Sequence, residues 1–432
     1  MRNRLPLLAA LAVVSLMPAP SRAVEVLKTE NMSLNLDGYM QALGVAQIVP
    51  DNSRNEDRIY LFLKQSRLHL SGTIHDVRYE VMLALGAEDV TPNTNNALGL
   101  LDFNFDVPVG HGYEVKVGQF LVPYGRERLT RDSTMSFADR SIANLGFSWN
   151  RDYGLALSHT EGKLAGTLAV MSGGSRDVPQ RYLPETLGSP LIAARFGYND
   201  GIDTDIYHVS ARDTDPGRAK KAFYVNGLFL KDTSIGHSTV LNVRASDKNL
   251  LINSNYNPFI AKAPTSLGRV WQGGADAAYR APTRFGALTA EAQVDYSHFD
   301  NKYGSLSLKG GHVQGGVTRG KWEGNLRYAI LFLDQKMAYV NAGNSTAIVE
   351  NSTPLQELTP SITFHYRPNV IVVADFPYLM DMVVFQENTI GSYLLSEQPD
   401  QVTVLKPGTT AGTGRAIRKD VPEMRLMIQL SF

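Results

Sequence analysis

Residues 114–141 read EVKVGQFLVPYGRERLTRDSTMSFADRS. Tyr113, Val115 and Val117 alternate with Glu114, Lys116 and Gly118, the period of two of a strand with one apolar face. Pro123 and Gly125 stop that strand. The stretch beyond carries Arg126, Arg128, Arg131 and Arg140 among Glu127, Asp132 and Asp139, and alternation resumes near Arg151. A strand that feeds a long charged connection and then another strand suits a closed β-barrel with one loop folded into its lumen. Residues 122–149 are the expected constriction loop.

The flanking chain carries the same signature. Arg67, His69, Ser71 and Thr73 alternate with Leu68, Leu70, Gly72 and Ile74. After a turn at His75-Asp76, Val77, Tyr79, Val81 and Leu83 oppose Arg78, Glu80 and Met82. Leu101, Phe103, Phe105 and Val107 alternate with Asp102, Asn104 and Asp106. Further on, Trp322, Leu326, Tyr328, Ile330 and Phe332 face one way, and Lys321, Glu323, Asn325 and Arg327 the other. Met424, Leu426, Ile428, Leu430 and Phe432 close the pattern against Glu423, Arg425, Gln429 and Ser431. Long polar loops are expected at 173–190, 246–267, 334–356 and 387–420, alternating with short turns as in outer-membrane barrels. Thr204 to Pro216 carries no assignable period.

Composition narrows the fold. Arg2 and Arg4 precede the apolar run Leu5 to Met17, and Ser21-Arg22-Ala23 has a small-x-small shape, so residues 1–23 read as a cleaved signal peptide. Beyond it no apolar stretch approaches the length of a membrane-spanning helix. A chain that crosses a bilayer without such helices must be a closed barrel. There is no cysteine, which removes disulfides, thiol chemistry and cysteine metal sites. Losing Arg2, Arg4 and Arg22 leaves 39 basic against 42 acidic residues, a net charge of −3, which argues against nucleic acid as a partner. A soluble β-sandwich or a secreted β-solenoid is the competing reading, but a sandwich of this length would divide into domains. The expectation is all-β: a closed antiparallel transmembrane β-barrel of about 16 strands (16–18), a single unit over residues 24–432.

Two stretches resemble the phosphate-selective porin O and P family. One is VGQF with Pro123 close behind, then ERLT, then ADRS; the other is QSRLHLSGTIHDVRYEVMLAL. The last strand, PEMRLMIQLSF, resembles the terminal signal of bacterial outer-membrane barrels. These resemblances imply export to the bacterial outer membrane and contact with its lipid. They also imply a homotrimer, a loop inside the lumen, and passive diffusion of small anions such as phosphate.

If the loop folds inward, Arg126, Arg128, Arg131 and Arg140 narrow the channel, with Arg67 and Lys116 behind them on the wall. Arginine suits an anion path, because its charge is permanent and its planar fork matches phosphate oxygens. The competing role for the loop arginines is to pair with acids and hold the loop to the wall. Arg78, Arg195, Arg280, Arg327, Arg367 and Arg425 also fall on polar faces. No hydrolase, zinc-protease, P-loop or dinucleotide pattern is present, so neither enzyme activity nor a cofactor or metal is expected. Asp200, Asp203 and Asp205 lack the glycine and glutamate of a calcium loop. The alternatives are a general or cation-favouring porin, which the −3 charge supports, and a barrel adhesin or specialised substrate channel using its long loops.

Overall fold

The computed structural model describes residues 23–48, 58–85, 99–159, 161–173, 190–212, 217–232, 268–301, 304–340, 346–351, 354–385, 392–394, 402–405, 412–414 and 416–432. Sixteen antiparallel staves build the wall among them. They are β1 (Met32–Gln47), β2 (Arg58–Ile74), β3 (Val77–Ala84), β4 (Gly99–Gly110), β5 (Tyr113–Leu121), β6 (Arg151–His159), β7 (Leu164–Met171) and β8 (Leu191–Asn199). The circuit continues through β9 (Lys220–Asp232), β10 (Gly268–Thr283), β11 (Gly286–Asn301), β12 (Gly304–Arg319), β13 (Trp322–Val340) and β14 (Pro354–Arg367). β15 runs in two halves, Val370–Asp375 and Tyr378–Phe385, and β16 is Ala416–Ser431. The break in β15 falls at Phe376-Pro377, where proline cannot donate to the ladder.

Each stave pairs with the next, and β16 pairs back with β1 from Tyr39 opposite Ser431 to Gln47 opposite Glu423. Gly38 and Phe432 exchange two backbone hydrogen bonds at 3.1 and 3.0 Å, which seals the seam. Closure matters because an open edge in lipid would leave its N–H and C=O groups unsatisfied. Polarity is inverted relative to a soluble protein. Leu155, Leu157, Phe196, Phe223, Leu326, Ile362 and Ile428 are exposed on the outside, whereas Arg126, Arg195, Arg280 and Arg327 are among the largest fully buried side chains. Tyr113, Tyr153, Trp271 and Trp322 also face outward, as interfacial aromatics do.

Alternation fails where the ladder bulges. Leu101 does not share the outward face of Phe103 and Phe105; it is fully buried, because the β3–β4 register shifts between Met82 and Leu83. The β1–β2 register shifts between Gln41 and Ala42, and Lys64 is the extra residue. Such a bulge re-aims a side chain, and Lys64 points inward beside Gln65, both buried.

Two expected loops are corrected. Most of 334–356 is strand: β13 extends to Val340, and Thr346–Asn351 folds back on it in register. Within 387–420, Ser392–Leu394, Val402–Leu405 and Gly412–Gly414 form a small separate sheet, and β16 already begins at Ala416. The expected loop at 246–267, nearly all of that at 173–190 and signal-peptide residues 1–22 lie outside the described residues.

Thr204 to Arg212, the described part of the segment without a readable period, belongs to an inward strap. Asp200 to Arg212 joins β8 to β9 on the short-turn side, the periplasmic side in barrels of this kind. Ile202, Ile206 and Tyr207 are buried with Phe120, Val122, Phe147 and Trp149 in one apolar cluster. Val209 bridges Thr130, and its carbonyl accepts from Arg131 N at 3.1 Å. The lumen is therefore narrowed from both ends.

Candidate functional site

The constriction loop leaves β5 at Pro123 and turns at Gly125, whose φ of 72° places it in the left-handed region. A Cβ there would also meet Gln293 Nε2 at 2.8 Å, so glycine serves both the turn and the close approach to the wall. Two short helices follow, α1 (Arg126–Leu129) and α2 (Ile142–Phe147). Ser141 caps α2 by accepting from Asn144 N, and its own N and Oγ donate to Glu127 at 2.6 and 2.7 Å.

The loop is fastened around the circumference. Tyr124 donates to Asp295 of β11 at 2.9 Å, and Trp149 to Gln272 of β10 at 2.9 Å. Ile142 N donates to Glu357 of β14, and Ala138 N to Asp375 of β15. Lys64 of β2 donates to Ala138 O at 2.6 Å and to Asp139 at 3.0 Å, and Gln429 of β16 to Ser133 O at 3.0 Å. Burial works against the charge of Asp139, but Lys64 and Arg425 outweigh it and hold its carboxyl well below the usual range. The expected insertion of 122–149 into the lumen is what the geometry gives.

The four loop arginines divide. Arg126 is fully buried and clamped by Asp203 of the strap (2.5 and 3.0 Å) and Asp276 of β10 (3.1 Å), with Glu291 at 3.8 Å. Burial opposes its charge, but these three acids hold its pKa above the ordinary arginine value. Asp276 also binds Arg195, which stacks 4.0 Å from the Tyr224 ring centroid. Arg126 faces this packed network and does not line the cavity that holds the other three loop arginines. Arg128 is buried and donates to Trp149 O at 2.8 Å and Asn150 at 3.0 Å. Arg140 donates to Asp132, Thr130 O and Glu127 O, bracing the loop on itself. Arg131 alone of the four is exposed, with no side-chain hydrogen bond or ion pair among the described residues.

Five of the six expected residues meet around one cavity of about 80 Å³: Arg67, Lys116, Arg128, Arg131 and Arg140. Arg151 joins them, making six permanent cations against four carboxylates, Asp37, Glu80, Asp102 and Asp132, with His69 and His208 besides. The acids are engaged. Asp132 takes Arg67 at 2.5 Å as well as Arg140, and Asp102 takes Arg151 at 2.8 Å. Asp37 and Glu80 both hold His69, at 2.9 and 2.8 Å. Lys116 pairs with Asp106 behind the lining at 2.8 Å. What stays uncommitted is positive, and Arg131 carries it.

Arg151 and His208 were not legible as site residues. Arg151 shares the parity of Tyr153 and Leu155, which face outward, yet turns in at the end of its stave. His208 sits in the strap, where no period tells which way a side chain points. Wall residues Arg280, Arg327 and Arg425 do face the lumen, paired with Glu291, Glu357 and Glu423. Arg78 and Arg367 instead lie exposed near the short turns.

Residues 35–179 match the family model of the phosphate-selective porin O and P. That match spans 145 of the 432 residues, and the barrel has the fold of bacterial outer-membrane porins. The resemblance read from VGQF to ADRS is borne out. Solved structures share the chain's fold at low identity. The outer membrane channel DcaP of Acinetobacter baumannii is 12% identical with a TM-score of 0.54, covering 95% of this chain and 100% of its own. An anion-selective porin from Comamonas acidovorans is 11% identical with a TM-score of 0.53, covering 93% and 100%. OmpT of Vibrio cholerae is 10% identical with a TM-score of 0.52, covering 95% and 100%. No curated protein matches the chain.

Proposed function

We propose that the porin passes small anions, phosphate among them, and that the cavity around Arg131 sets this preference. The carrying observation is the uncommitted Arg131 guanidinium in a lining of six permanent cations and four engaged acids. Charges confined between protein walls are screened less than at an open surface. A cationic waist therefore lowers the barrier for anions and raises it for cations. The chain's net charge does not decide this, because the acids that balance the lumen arginines are spent in pairs such as Arg195–Asp276 and Arg327–Glu357. One of the similar barrels is an anion-selective porin, and the matched family is named for phosphate; both agree with the reading. We also propose a homotrimer seated in outer-membrane lipid, in keeping with the trimer form of Vibrio cholerae OmpT, whose barrel is similar.

Chloride current through single channels in planar bilayers, with inorganic phosphate added, tests it. Phosphate should reduce the current in a concentration-dependent way. A current carried mainly by cations and indifferent to phosphate would favour a general or cation-favouring porin.

A further inference from the structure

The strap Asp200–Arg212 places one titratable cation opposite the loop. His208 Nδ1 lies 2.6 Å from Asp205 on its own segment, and its Nε2 lies 3.7 Å from Glu80 of β3. Glu80 is held in turn by His69 of β2, and His69 by Asp37 of β1. The result is a chain of alternating acid and base, Asp37–His69–Glu80–His208–Asp205, that crosses from the wall to the strap. His208 lines the same cavity as Arg131, and its side chain is 26% exposed. The strap is fixed there by Asp205 accepting from Tyr207 N and His208 N at 2.7 and 2.8 Å, by Asp203 on Arg126, and by the Thr130–Val209 bridge.

We propose that His208 is a specificity-determining residue of the waist, a cation whose protonation sets how strongly the pore favours anions. This rests on the anion-preferring reading of the same cavity. The groups that face His208 are Asp205 from the strap, Glu80 from the wall and Arg131 from the loop. Burial and Arg131 disfavour its charge, but Asp205 and Glu80 outweigh them and push its pKa up to about 9. Asp205 is held well below the usual carboxylate range against its own burial, by the charge of His208 and the two backbone donors. His208 is therefore protonated at neutral pH and loses its charge as pH rises through about 9. With both histidines charged, the five-residue chain carries −1, and loss of the His208 proton takes it to −2. The waist then attracts anions less.

The test is the reversal potential of the full-length porin in bilayers under a potassium chloride gradient, read from pH 7 to 9.5. Wild type should lose roughly two- to threefold in anion-over-cation permeability across that range, the size expected for one unit charge about 10 Å from the path in largely aqueous surroundings. His208→Gln should show the reduced preference already at pH 7 and a smaller transition, the part that His69 of the same cavity contributes. Asp205→Asn should keep the transition and move it to lower pH, because the acid that retains the proton is gone. This second variant leaves the proposal open to refutation if His208→Gln fails to assemble. An anion-selective wild type that stays flat to pH 9.5, or an Asp205→Asn midpoint that does not fall, overturns the role of His208. A wild type without anion preference at any pH overturns the parent reading instead.

Discussion

Arg126 and Arg131 lie five residues apart in one polar run, and the fold uses them oppositely. Arg126 is sealed in a network with Asp203 and Asp276; Arg131 is exposed at the cavity without an ion pair among the described residues. The difference lies in what the chain brings to each. The Arg126 partners come from the strap and a distant stave, 77 and 150 residues away. Buried charge survives only when paired and hydrogen-bonded, so that side of the loop is an anchor. Anchoring is also what leaves the other side free to present a bare charge, because a loop held at both ends needs no salt bridge from Arg131.

The largest expected effect comes from breaking the anchor. Arg126→Ala leaves Asp203 and Asp276 buried beside an empty site, a change that costs about 3–5 kcal/mol when one partner of a buried pair is removed. Thermal unfolding of the purified barrel in detergent should show a marked loss, and the channel should become noisy. Unaltered stability would mean that the network does not hold the loop. Next comes Lys64→Ala, which strips Ala138 O and Asp139 of their wall donor. About 1–3 kcal/mol is at stake, the cost of an unsatisfied buried group, read as larger open-channel current fluctuations with the selectivity kept. Tyr124→Phe removes one hydrogen bond to Asp295 and should cost about 1 kcal/mol, visible as a small drop in unfolding temperature without change in conductance. At the small end, Arg218→Ala removes an exposed pair with Asp200 at the strap's outer end. Neither unfolding nor current should change measurably, since exposed pairs contribute little; a clear effect would extend the anchor to the strap's exposed root.

Much of the wall was legible because lipid outside and water inside impose a strict period of two. The exceptions each have a local cause. Lys64 and Leu101 sit at bulges, which a sequence pattern does not reveal, and Gln335–Val340 pairs with Thr346–Asn351 within a polar stretch where loop and strand are hard to tell apart. For the waist, residue type was legible and direction was not. Arg67, Lys116, Arg128, Arg131 and Arg140 do gather at one cavity, but nothing in the run from Arg126 to Asp132 says that its first arginine turns away. The strap was opaque for the same reason, and with it His208, since a segment without a period carries no information about which way its side chains point.

The most direct test of the central claim, that an uncommitted loop arginine rather than the buried network sets the preference, is the reversal potential of Arg131→Ala beside wild type at pH 7 in a salt gradient. Wild type should favour anions. The variant, which breaks no side-chain hydrogen bond or ion pair among the described residues, should fold and insert normally. It should lose about three- to tenfold of that preference, the range for one partly screened charge close to the path. An Arg131→Ala channel that assembles correctly and keeps the wild-type reversal potential would contradict the account, and would leave selectivity to the wall around Arg67 and Lys116.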